Sequence, residues 1–139
     1  MTAAQPDSEQ FTIQVTPQLS VRRGREAVEF YKAAFGAVEL YRVGDDQIVA
    51  QLSVGGAEFW VADESPAHFN FSPESLGGGS VRMLLRVPDP ERTLATALAA
   101  GATEVAAVAE EHGWLLGRVV DPFGHHWEIG RPLGPWPPV

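Results

Sequence analysis

At 139 residues the chain is long enough for one hydrophobic core, so a single compact domain is expected. A formal net charge of −8 argues against a phosphate-backbone partner, and no apolar run approaches the roughly 20 residues that a membrane helix needs. With no cysteine, disulfides, thiolate metal ligands and a cysteine nucleophile are all excluded. The N-terminus also lacks an apolar signal core, which makes a cytoplasmic location the expectation. The acidity either keeps the chain soluble or slightly favours a cationic small molecule.

Residues 1–10 are polar and aperiodic and read as a disordered leader. Phe11-Thr12-Ile13-Gln14-Val15-Thr16 alternates apolar and polar residues as a half-buried strand does, and Leu19 and Val21 continue the phase. From Glu26 to Phe35, Ala27, Phe30, Tyr31, Ala34 and Phe35 share one helical face, and Gly36 sits where a left-handed cap would end the helix. Strands follow at Val38–Val43, Gln47–Val54 and Ala57–Ala62, separated by turns at Gly44-Asp45-Asp46 and Gly55-Gly56. Residues 63–80 are rich in Pro, Ser, Gly and Asn and read as a mobile loop.

A second unit opens with a strand at Val81–Val87. Asp89-Pro90-Glu91 is a strong helix start, combining an N-cap acid, a first-turn proline and a carboxylate at the positive end of the dipole. Leu94 and Leu98 face the core, and Gly101 ends the helix. Strands near Thr103–Ala107, Trp114–Val120 and His126–Ile129 complete the unit. Arg131–Val139, with four prolines, reads as an extended tail.

The chain therefore repeats itself. The run from Val21 through a helix to Gly36-Ala37 returns from Val87 to Gly101-Ala102. Two β-α-β-β-β modules, residues 11–62 and 81–130, make an α+β domain in which facing surfaces can enclose a shared cavity.

The repeat, the segment Glu29-Phe30-Tyr31-Lys32-Ala33-Ala34-Phe35-Gly36-Ala37 and the terminal Asp121-Pro122-Phe123-Gly124-His125-His126-Trp127-Glu128-Ile129 carry a family likeness. Over about residues 11–130 the chain resembles the vicinal oxygen chelate superfamily of glyoxalases, bleomycin-resistance proteins and extradiol dioxygenases. The resemblance implies a curved eight-stranded sheet around a cleft and a homodimer, with the cleft shared between chains. Read without the family, Asp121 to Gly124 has the composition of a type I turn. The strand after it sends His126 and Glu128 to one face and Trp127 and Ile129 to the helix-packed face.

Metal-dependent members, as the resemblance implies, take one ligand from the first and last strand of each module. Glu128 matches such a position. Arg82 stands where a His is expected and Trp60 where a Glu is expected, while the first strand offers Thr16, or Gln18 after a shift of two. A charged guanidinium has no lone pair to give and an indole only donates. Only Glu128 and Gln18 remain as ligands, so no metal or other cofactor is expected.

Arg82 and Glu128 can instead pair across neighbouring strands, either to satisfy a charge or to meet a ligand. Trp60 reads as an aromatic cavity wall or as a core filler. Trp114, Phe69 and Phe71 could complete a sandwich around a flat ligand, though loop anchoring is the plainer reading for the two phenylalanines. Gln51 adds a polar contact, and His126 could titrate near neutrality beside Glu128. The expected function is metal-free binding of a small, flat, aromatic molecule, cationic or neutral, such as a sequestered antibiotic, under a closing 63–80 loop. The alternative is a metal-dependent glyoxalase-like lyase, isomerase or epimerase using Glu128. A scaffold with a vestigial cavity is a third reading.

Overall fold

The computed structural model describes residues 11–138, so the leader expected over residues 1–10 lies outside the described residues. Module one contains β1 (Gln18–Val21), α1 (Gly24–Phe35), β2 (Val38–Val43), β3 (Val49–Val54) and β4 (Ala57–Asp63). β1 pairs in parallel with β4, and β3 and β2 add antiparallel strands, giving the order β1-β4-β3-β2. α1 forms as its spacing predicts: Ala27, Phe30, Tyr31, Ala34 and Phe35 are all buried. Gly36 ends it at φ 69°, where its N–H donates to the Lys32 carbonyl.

A short helix, α2 (Pro73–Leu76), precedes module two. That module has β5 (Arg82–Arg86), α3 (Pro90–Ala100), β6 (Thr103–Glu111), β7 (Trp114–Val120) and β8 (His126–Pro132), in the sheet order β5-β8-β7-β6. The order repeats that of module one strand for strand. Asp89 caps α3 as expected, its carboxylate accepting the Arg92 N–H at 3.1 Å. The eight strands form two four-stranded sheets rather than one continuous sheet, because β1 and β5 each remain edge strands of their own module.

Two expectations are corrected. Residues 11–17 contain no strand; Ile13 and Val15 are 101% and 96% exposed. Pro17 has no N–H for a ladder, and residues 11–16 pair with no strand among the described residues, so the alternation there goes unused. The 63–80 segment is folded rather than open. Ser72 N–H and Ser75 Oγ both donate to the Glu64 carboxylate at 2.8 Å, and Arg22 reaches the same group at 3.5 Å. Those donors, the Ser72 backbone first, hold Glu64 below the usual carboxylate range. A 3-10 turn at Pro66–His68 and a bridge between Ser65 and Asn70 complete the segment.

The modules are joined through their helix-bearing sides, where α1 and α3 pack together. The core between them is aromatic. Tyr31, Phe35 and Phe59 of module one contact Trp127 of module two at centroid distances of 5.4, 4.7 and 5.6 Å. Asp121, 4% exposed, lies within this cluster. Its Oδ2 accepts Tyr31 Oη at 2.5 Å and Trp127 Nε1 at 3.0 Å, while its Oδ1 accepts the Phe123 and His125 N–H groups at 2.9 and 3.0 Å. Burial, then the neighbouring Asp121, pushes the Tyr31 hydroxyl well above its ordinary pKa, so it stays a proton donor.

Candidate functional site

Each sheet has one face covered by helices and one turned outward. On sheet one, Leu19, Val21, Ala50, Leu52, Phe59 and Val61 fill the covered face. Alternation then sends Gln18, Trp60 and Gln51 outward, and the strand register sets Gln18 beside Trp60 and Trp60 beside Gln51. Tyr41 follows Gln51 in the same row and meets Trp60 edge-to-face at 6.4 Å. Gln51 Nε2 donates to Glu58 at 2.5 Å. Trp60 is half-buried and lies outside the core cluster, so the core-filler reading does not hold.

The outward face of sheet two carries Arg82, Leu84, Arg86, His126, Glu128, Leu116 and Arg118, with Val119, Trp127 and Ile129 buried behind it. Arg82 is in register with His126 but reaches diagonally to Glu128, donating from Nε to Oε1 at 2.8 Å. Arg118 is in register with Glu128 but reaches diagonally to His126, donating from Nε to Nδ1 at 3.1 Å. The expected Arg82–Glu128 pair is present. It is not a deeply buried charge pair, since the Arg82 side chain is 53% exposed.

The surroundings of His126 act against its charged form. Burial, followed by the positive charge of Arg118, lowers its pKa from 6.5, with Asp121 opposing and Arg82 and His125 adding to the drop. An unprotonated Nδ1 accepting from Arg118 agrees with that direction. In the unfolded chain the imidazole protonates more readily, so stability from this group is complete above about pH 6.5 and declines as pH falls below it. His126→Gln is expected to flatten this decline in urea midpoints measured between about pH 7 and 5.5. Parallel slopes in the two proteins would refute the assignment.

Trp114, half-buried, stacks edge-to-face on Trp136 of the tail at 5.3 Å, with the Arg86 guanidinium over its ring at 5.8 Å. The proline-rich tail is thus partly fixed: Arg131 and Pro132 end β8, and Leu133 N–H donates to the Gly113 carbonyl at 2.8 Å. Trp114, Leu84, Leu116, His112, Glu111 and Glu128 line a cavity of about 200 Å³. Glu111, Leu116 and Glu128 also border a neighbouring hollow of about 180 Å³ that includes Arg118. Both belong wholly to module two. The modules do share a hollow, but a cavity walled by Trp60 and Trp114 together is not built within one chain, because the helices rather than the outward faces meet.

Thr16 lies elsewhere, lining an intermodule hollow of about 460 Å³ with Phe59, Met83 and Trp127. Phe69 is 84% exposed with a φ of 62°, and neither it nor Phe71 joins an aromatic pair among the described residues. The aromatic sandwich, the less favoured reading for these two residues, is absent among the described residues. Tyr41 and Arg118 were not anticipated. A bulge between Glu39 and Tyr41 turns Tyr41 outward and hides it from a simple alternation, whereas Arg118 was readable from its phase with Trp114.

The four positions that the resemblance marks as metal ligands do not supply a metal's donor set here. Gln18 and Glu128 alone offer oxygen lone pairs, and Glu128 is already engaged by Arg82. Among the described residues no three His, Asp or Glu side chains are grouped for coordination. Nor is any described helix long and apolar enough to cross a membrane.

A family model described as a glyoxalase-like domain matches residues 14–130. The uncharacterized protein Rv0887c of Mycobacterium tuberculosis is 40% identical over 126 residues, covering 86% of this chain and 74% of that protein. The X-ray structure of the Arabidopsis thaliana gene product At5g48480 superposes with a TM-score of 0.69 at 34% identity, covering 85% of this chain and 98% of the other. FosX, a fosfomycin resistance protein of Listeria monocytogenes solved with Mn(II) and sulfate, superposes with a TM-score of 0.67 at 14% identity, covering 91% and 95%. That last likeness is one of fold alone.

Proposed function

This chain belongs to the glyoxalase-like family, and from that premise we propose that it binds a small aromatic molecule without a resident metal ion. The observation that carries the reading is the donor set: an indole and an engaged guanidinium stand at two of the four metal-holding positions. Trp60 and Tyr41 offer edge and face to a flat ring, and Gln51 and Gln18 flank them with polar groups. Binding of this kind is stoichiometric and suits sequestration of an antibiotic or a metabolite.

The cleft is completed by a second copy of the chain. Sheet one turns Tyr41, Val43, Val49 and Trp60 outward, and sheet two turns Leu84 and Trp114 outward with its arginines. A homodimer that lays sheet one of one protomer over sheet two of its partner buries both faces and unites the two half-sites. The folded 63–80 segment, anchored through Glu64, is not needed as a lid.

Intrinsic tryptophan fluorescence tests the reading against a panel of aromatic antibiotics and metabolites. Saturable quenching is expected, weakened about 10-fold or more by Trp60→Ala. Elemental analysis of protein purified without chelator is the counter-test. One divalent ion per chain, whose removal abolishes an activity, would replace this reading with the metal-dependent lyase or isomerase. Light scattering that finds a monomer at micromolar concentration would remove the shared cleft.

A further inference from the structure

Deepening the proposed binding function, we infer that the ligand carries a carboxylate-like anionic group, received by the Arg118 guanidinium on the outward face of sheet two. Arg118 sits on β7, between β6 and β8, half-buried and bordering the hollow that adjoins the Trp114 cavity. Its Nε is engaged by His126. Among the described residues its two terminal nitrogens have no hydrogen-bond acceptor, and no carboxylate lies within ion-pair distance. The fork that grips a planar oxyanion through two parallel bonds is thereby left open.

Acids outnumber bases 18 to 10, yet Arg118 and Arg86 have no acidic partner among the described residues. Glu128, directly across from Arg118, is claimed by Arg82. Glu111 also borders both hollows, but it is exposed at the end of β6. His126 accepts rather than donates toward Arg118 and adds no charge. Across the whole face Arg82, Arg86 and Arg118 outnumber Glu128 and Glu111 by one, while the two hollows are bordered by Glu111, Glu128 and a single base, Arg118.

Beside the open fork lie Leu84, Leu116 and Trp114, an apolar floor for a ring. A ring on that floor with its acid group on Arg118 uses both features at once.

The test titrates the intact protein with 2-naphthoate, 2-naphthalenemethanol and 2-naphthylmethylammonium, read by amide and imidazole NMR shifts. Naphthoate is expected to bind about 10-fold or more tightly than the alcohol, matching a hydrogen bond to a charged group. Arg118→Gln should bring naphthoate down to the alcohol's affinity and leave the alcohol unchanged. Arg118→Lys, which keeps the charge and loses the fork, should fall between and serves if the glutamine variant unfolds. Naphthoate should also raise the His126 pKa by offsetting the neighbouring positive charge. Equal affinity for carboxylate and alcohol, or tightest binding of the ammonium, overturns the anionic assignment and leaves the aromatic slot standing. Failure of all three to bind overturns both.

Discussion

Asp121→Ala is expected to destabilise the fold by about 3–5 kcal/mol, the largest effect of any single polar substitution in this chain. The carboxylate gathers four donors, and one of them, Tyr31 Oη, is buried with no other acceptor in the described structure, while Trp127 Nε1 has only the Tyr31 oxygen besides. Each orphaned donor costs about 1–3 kcal/mol, and the turn that starts at Asp121 loses its two backbone anchors as well. The melting temperature should fall by roughly 10–15 °C for a chain of this size. Tyr31→Phe removes one donor and leaves the acceptor well supplied, so its cost should be nearer about 1 kcal/mol. Equal losses in the two variants would show that the tyrosine bond alone matters and that the hub does not exist.

Gly130→Ala is the second large change, and it acts by volume. Gly130 lies on β8 two residues beyond Glu128, in register with Leu116 of β7. A Cβ there would sit 2.4 Å from the Leu115 carbonyl oxygen and 2.8 Å from Leu116 Cδ1. The first obstacle is backbone, so the two central strands must part. About 2–3 kcal/mol is the expected cost in urea unfolding, with displacement of Leu116 at the edge of the Trp114 cavity. Gly134→Ala, whose Cβ meets nothing within 4 Å, is the control and should change stability by less than about 0.5 kcal/mol. A wild-type midpoint for Gly130→Ala would mean that the strands are not held as closely as described.

What could be read in advance follows from how local each signal is. Gly36 and Asp89 declare helix ends through their own backbone and side chain, and both hold those places. The alternation Trp127, Glu128, Ile129 assigned faces correctly because a strand's period is fixed by covalent geometry. The Arg82–Glu128 pair followed from module topology. The Phe11–Thr16 alternation misled because a pattern specifies a strand only where a partner exists. Tyr41 escaped notice because one inserted residue reverses the facing of everything beyond it. The Asp121 carboxylate was legible as a turn former, but its reach to Tyr31, 90 residues away, is a tertiary fact. The division of the outward faces was also hidden, since it depends on which sides of two similar modules come together.

The bonds between the halves show how far the repeat has ceased to be two units. His125 Nε2 lies 2.9 Å from the Ser20 carbonyl, Arg23 donates to the Pro122 carbonyl at 3.1 Å, and Asp121 holds Tyr31. Neither half can satisfy its interior polar groups alone. Melting should therefore proceed as a single cooperative event, and a chain severed in the Gly77-Gly78-Gly79 stretch would yield fragments that must reassociate before either becomes ordered.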